Sequence, residues 1–189
     1  MSKTAVFLVD VQRDFCAGGT LAVPDGDAVV PICNTLIERS AKKMIPVFAS
    51  RDWHTPDHCS FVPQGGPWPV HCVAGQPGAE FQPELKLPHD VVIISKAERR
   101  DVDAYSAFDN TSAAAKLRAA GIKNLIICGL ATDYCVKATV LDALKEGFQV
   151  TVVKEGCRGV NVTSGDDKRA FAEMKAQGAQ ISSLSNLEL

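Results

Sequence analysis

Apolar residues come along this chain in short unbroken runs, at 4–10, 45–50, 91–95, 124–128, 149–153 and 179–184. Runs with so little alternation mark strands buried on both faces of a parallel sheet, not hairpins with one wet face. Between most of them the apolar positions take up helical spacing. One helix is expected to begin near Val29 to Pro31, after the turn Pro24-Asp25-Gly26-Asp27, with Pro31 in its first turn and Ile32, Leu36 and Ile37 facing the core. A second is expected over about 111–120, with Asp109 and Asn110 as cap candidates and Gly121 as its stop. Val136, Val140, Leu141, Leu144 and Phe148 fit one face of a third, and Gly147 and Gly178 end two helices in the same way. This alternation predicts an α/β fold, a three-layer α/β/α arrangement around a six-stranded, mostly parallel sheet.

One connection breaks the rhythm. Residues 51–90 hold most of the prolines and all four histidines, and long connections of that kind are usually functional. In open parallel sheets ligands bind beyond the carboxyl ends of the strands. Asp10, Asp52, Lys96 and the turn before Cys135 all follow strand ends, so they can converge on one crevice.

At 189 residues the chain suits one well-buried core, and a single domain over 1–189 is expected. Its formal charge of −2 comes with no long run of either sign, which points away from nucleic acid and anionic membranes and towards a small-molecule partner. The first apolar run is stopped by Asp10, so neither a signal peptide nor a membrane span is read there, and a cytoplasmic location is expected. A homo-oligomer is compatible with the sequence, although no apolar stripe marks its interface. Seven cysteines, an odd set with no C-x-x-C pair, argue against a disulfide framework or a zinc knuckle. Cys33, Cys128 and Cys157 fall in or beside apolar segments and are expected in the core, whereas Cys16, Cys59 and Cys72 lie near the polar motifs.

The strongest chemical signal is Gly129-Leu-Ala-Thr-Asp-Tyr-Cys135, which sets a thiol where a strand gives way to a helix. Free N–H groups and the positive dipole end at such a place favour a thiolate and can hold an oxyanion. Asp10 and Lys96 end two apolar runs, positions where a charge calls for a partner. With Cys135 they make an acid–base pair and a nucleophile: Asp10 can take the thiol proton and later return it to a leaving amine, while Lys96 holds charge. Asp52 and His54, at i and i+2, project to one side of an extended backbone, and His71 can complete a two-imidazole, one-carboxylate metal set with open positions. His58 is either a fourth ligand or a neighbour of the ligands, and His89 follows Pro88 in a turn. Phe15, Trp68 and Tyr105 are aromatics beside these motifs, placed to pack on a flat substrate.

These residues resemble the isochorismatase-like cysteine hydrolases, and within them the nicotinamidases, over nearly the whole chain. Phe7-Leu-Val-Asp-Val-Gln-Arg-Asp-Phe15 with Gly18-Gly19 resembles the family's opening motif, and Gly129–Val136 its nucleophile motif. Arg51-Asp-Trp-His-Thr-Pro-Asp-His-Cys-Ser-Phe61, Trp68-Pro-Val-His-Cys72 and Val102-Asp-Ala-Tyr-Ser-Ala-Phe108 are similar to the nicotinamidase subgroup. The resemblance implies an Asp10, Lys96 and Cys135 triad, and one divalent metal on Asp52, His54 and His71, zinc first with iron or manganese as alternatives. It implies further an oxyanion hole from the N–H groups of Ala131 and Cys135, with a cis peptide between Leu130 and Ala131. Phe15, Trp68 and Tyr105 would line the pyridine pocket. Ala97 and Ala107 stand where relatives often carry glycine, a change that could narrow the pocket or alter the loop.

The reaction so implied is hydrolysis of nicotinamide to nicotinate and ammonia through a Cys135 thioester, a step of NAD salvage. Two other readings compete with it: a metal-free cysteine hydrolase acting on another small amide or carbamoyl compound, and a non-enzymatic metal-binding or redox-sensing module.

Overall fold

The structure, a computed structural model, describes residues 3–187. Among them six strands, β1 (Lys3–Val9), β2 (Val47–Asp52), β3 (Val92–Lys96), β4 (Ile122–Leu130), β5 (Gln149–Arg158) and β6 (Gln180–Ser182), form one sheet in the order β3-β2-β1-β4-β5-β6. Every pairing is parallel. All six predicted runs are strands, and the sheet has no antiparallel member. Ala5 to Val9 are five consecutive residues with no more than 1% exposure, so both faces of the central strand are covered, as a three-layer α/β/α fold requires.

The helices are α1 (Val29–Lys42), α2 (Ala113–Ala119), α3 (Lys137–Lys145) and α4 (Asp166–Ala176). Pro31 sits in the first turn of α1, where its missing N–H costs nothing, and Leu36 and Ile37 are buried with Cys33 beside them, while Ile32 is only partly buried. Helix α2 is shorter than the pattern suggested, and neither Asp109 nor Asn110 caps it. Asn110 takes a left-handed φ of 54°, and the Thr111 hydroxyl accepts the Ala113 N–H instead. Gly121, Gly147 and Gly178 all have positive φ after helix ends, as their stop role demands. Strand β5 continues to Arg158, past the end of its apolar run, with a register shift against β4.

The chain reverses its direction of sheet growth between β1 and β4, and the crevice beyond these strands is the natural ligand site of such a sheet. Gly129 makes the junction tight: a Cβ there would lie 2.0 Å from the Val9 carbonyl oxygen. Only glycine lets β4 approach β1 so closely, just before the chain leaves both strands.

Candidate active site

Asp10 leaves the end of β1 with a φ of 48°, and Lys96 is the last residue of β3, in register with Asp52 of β2. Cys135 lies in a π-turn, Thr132–Val136, that joins β4 to α3. The N–H groups of Tyr134 and Val136 both return to the Ala131 carbonyl, skipping the Cys135 N–H between them. The peptide between Leu130 and Ala131 is cis.

Lys96 is the hub. Its Nζ lies 3.0 Å from Asp10 Oδ2, donates to Asp52 Oδ1 and to the Ala104 carbonyl (3.1 Å), and reaches Cys135 Sγ at 3.5 Å. The side chains of Lys96 and Asp10 are fully buried, so the ammonium persists only through these partners. Burial alone would lower Lys96, but Asp10, Asp52 and Cys135 hold it well above the usual lysine range. The same burial would raise Asp52, yet the Lys96 ammonium and the His54 ring hold it well below the carboxylate range. Asp10 goes the other way. Burial raises it, the Asp52 charge adds to the rise, and Lys96 with the Ser50 hydroxyl, which donates to Asp10 Oδ1 at 2.6 Å, offsets it only in part.

Cys135 is subject to opposed influences. Burial pushes its thiol well above the ordinary range; Lys96 pulls it back in part, while Asp10 and Asp52 push it up. The thiol faces, within 4.8 Å, a carboxylate of raised basicity, which suits proton transfer during attack.

Asp52, His54 and His71 are all buried, and each offers a ligand atom within 4.8 Å of the others. Neither ring nitrogen of His54 has a hydrogen-bond partner, a costly state for a buried imidazole and the state of one built to bind something. His71 Nδ1 donates to the Pro69 carbonyl at 2.8 Å, which leaves Nε2 as the lone-pair nitrogen, and burial lowers its pKa so that the ring stays neutral. These donors fit a divalent metal ion. His58 is not a fourth ligand: its Nδ1 accepts the Ser60 N–H and lies 2.8 Å from the Ser60 hydroxyl, while Nε2 faces the Val102 carbonyl at 3.2 Å. Its ring packs 4.3 Å from that of His54, which it steadies.

One pocket is lined by Cys135 and Ala131, by the metal set, and by Phe15, Trp68 and Tyr105. Trp68 Nε1 donates to the Tyr105 hydroxyl at 2.9 Å, and Phe15 packs 5.7 Å from His71. Tyr134, which the sequence reading did not single out, lines the same pocket and packs edge-on to Trp68. Ala97 and Ala107 lie outside its lining. Ala97 instead takes a φ of 51°, the conformation for which glycine is better suited, and Ala107 is buried with its N–H on the Thr139 hydroxyl. Gln12, Asp14 and Asp133 are further buried polar residues around the site for which spacing gave no role. Most of their partners lie far along the chain, and only their position in the turns after β1 and β4 marks them.

Comparison with known proteins agrees with this geometry. The nicotinamidase of Escherichia coli (strain K12) is 44% identical, the alignment covering 100% of this chain and 98% of that protein. The solved pyrazinamidase of Pyrococcus horikoshii in complex with zinc superimposes with a TM-score of 0.92 at 48% identity, over 96% of this chain and 99% of that one. PnC1 from L. infantum in complex with nicotinate gives 0.90 at 34% identity, over 99% and 96%. The isochorismatase domain matches residues 4–186, all but three residues at each end. A match of that extent carries one assignment: the chain belongs to the isochorismatase family.

Proposed function

We propose that this chain is a metal-dependent nicotinamide amidohydrolase, converting nicotinamide and water to nicotinate and ammonia through a thioester on Cys135. The observation that carries this reading is the shared pocket: Cys135 and the Asp52, His54 and His71 set line one cavity and are bridged by Lys96. Nicotinamide has a ring nitrogen and a carboxamide on one flat ring, which matches a pocket holding a metal set, a thiol and aromatic walls. The E. coli nicotinamidase and the nicotinate complex of L. infantum PnC1 support the same substrate class.

Cys135 Sγ attacks the carboxamide carbon as its proton passes to Asp10, whose carboxylate lies within 4.8 Å of the sulfur. The carbonyl electron pair moves to oxygen, where the N–H groups of Ala131 and Cys135 hold it. Collapse breaks the C–N bond, Asp10 gives its proton to the leaving nitrogen, and ammonia departs. Water then adds to the thioester with Asp10 as base, and nicotinate leaves as the sulfur regains its proton. Lys96 stays charged throughout and keeps Asp10 and Asp52 in place, while Phe15, Trp68 and Tyr105 flank the ring. An ion on Asp52, His54 and His71 supplies, when bound, an open coordination position for the ring nitrogen and so helps to orient the ring. We take it to be zinc, the metal in the P. horikoshii structure. We read the whole chain as one domain serving this site, and take the activity to be cytoplasmic, where seven free thiols persist.

Cys135→Ala tests the reading. It is expected to abolish ammonia release from nicotinamide with the circular dichroism spectrum unchanged, and turnover at the wild-type rate would overturn it.

A further inference from the structure

Gln12 and Asp14 sit two residues apart on the turn after β1, and both are buried. The amide of Gln12 spans the peptide units of Asp52: the Asp52 N–H donates to Gln12 Oε1 at 2.8 Å, and Gln12 Nε2 donates to the Asp52 and Ala79 carbonyls at 2.9 Å each. Asp14 Oδ2 accepts the Cys72 N–H at 2.7 Å, and Oδ1 accepts the Thr20 N–H at 3.3 Å. Cys72 follows His71 directly and takes a φ of 46°, a backbone state that a cysteine avoids unless it is held. The Cys72 carbonyl in turn accepts the His54 N–H at 3.0 Å. Gln12 therefore grips the backbone of the carboxylate, and Asp14 grips the residue to which both imidazoles are tied.

We infer that Gln12 and Asp14 are positioning residues that set the affinity of the metal site, although neither reaches it. The inference rests on the metal reading proposed above. A metal set binds tightly when its ligands are already held in place, and groups that orient ligands typically account for about 10–100-fold in affinity. The turn that carries Asp10 thus also prepares Asp52, His54 and His71, so proton transfer and ring placement depend on one short segment.

Zinc affinity, measured on the chelator-stripped full chain by competition with a chromophoric zinc chelator, tests this. Gln12→Met and Asp14→Ala are each expected to weaken zinc binding by about 10–100-fold. Asp14→Asn, which keeps an oxygen for the Cys72 N–H, is expected to recover most of the loss. Asn34 provides the control, because it clamps the far end of the same connection through the Glu84 carbonyl at 2.9 Å and the Lys86 N–H at 2.8 Å. Asn34→Ala is expected to leave zinc affinity unchanged. Should Gln12→Met fail to fold, Gln12→Glu, which keeps the acceptor and loses the donor, is expected to show the same weakening. Folded variants with wild-type zinc affinity, or an equal loss in Asn34→Ala, would overturn this inference alone. A wild-type chain that binds no zinc would overturn the metal reading and this inference with it.

Discussion

Lys96 is an ammonium with no access to water, held charged by Asp10 and Asp52, and this one contact set decides the character of its neighbours. The sequence placed all three of these residues at strand ends and paired Lys96 with Asp10, whereas the contact of Lys96 with Asp52 came only with the fold. At Cys135 two influences oppose each other: the dipole of a helix start favours a thiolate, while the burial of a residue that is 6% exposed, with Asp10 and Asp52 nearby, pushes the thiol up. The Ser50 hydroxyl favours the charged form of Asp10, so removing it raises Asp10 further. In the proposed mechanism Asp10 must be charged to accept the thiol proton. Ser50→Ala is therefore expected to move the acid limb of the kcat/KM profile to higher pH, and a limb that stays or moves lower would contradict the role given to Asp10. Ala97 offers a test of strain next to Lys96. Its left-handed φ costs an alanine about 1–2 kcal/mol, part of which glycine gives back through its freer unfolded chain. Ala97→Gly is expected to raise the unfolding free energy by about 0.5–1 kcal/mol in urea titration, and a clear fall would contradict it.

Among the elements, the strands were the most legible, because burial on both faces of β1 and most of β2 and β4 imposes short apolar runs bounded by polar residues. Helix ends were less so. The start of α2 depends on Thr111 and on the left-handed Asn110, a choice settled by local hydrogen bonds and not by apolar spacing. The π-turn after β4 carries a tie that spacing could not reveal: Asp133 accepts the N–H groups of Val160 at 2.9 Å and Asn161 at 2.7 Å. These bonds fasten the nucleophile turn to the loop between β5 and α4, and Val160 lines the pocket. Asp133→Ala is expected to cost about 2–3 kcal/mol in urea unfolding and to raise KM more than it lowers kcat. An unchanged midpoint and an unchanged KM would show the tie to be idle.

At the scale of the whole molecule, function follows from strand order. Placing β1 beside β4 and β2 brings Asp10, Asp52 and Cys135 to one end of the sheet from three distant parts of the chain, and Lys96 joins them from β3. That strand ends would converge was legible; the order was not, since one sequence carries apolar runs but no pairing. The motifs marked Asp52, His54, His71 and Cys135, which the fold brings to one pocket, while the long-range grips of Gln12 and Asp14 span forty residues or more and needed the fold to be seen. Ammonia release from nicotinamide by the purified full chain, followed before chelation, after chelation and after zinc is restored, probes the joined triad and metal set most directly. Turnover is expected to vanish with the metal and return with zinc, and Cys135→Ala to release no ammonia at any stage. Undiminished release from the chelated wild type, or any sustained release from Cys135→Ala, would contradict it.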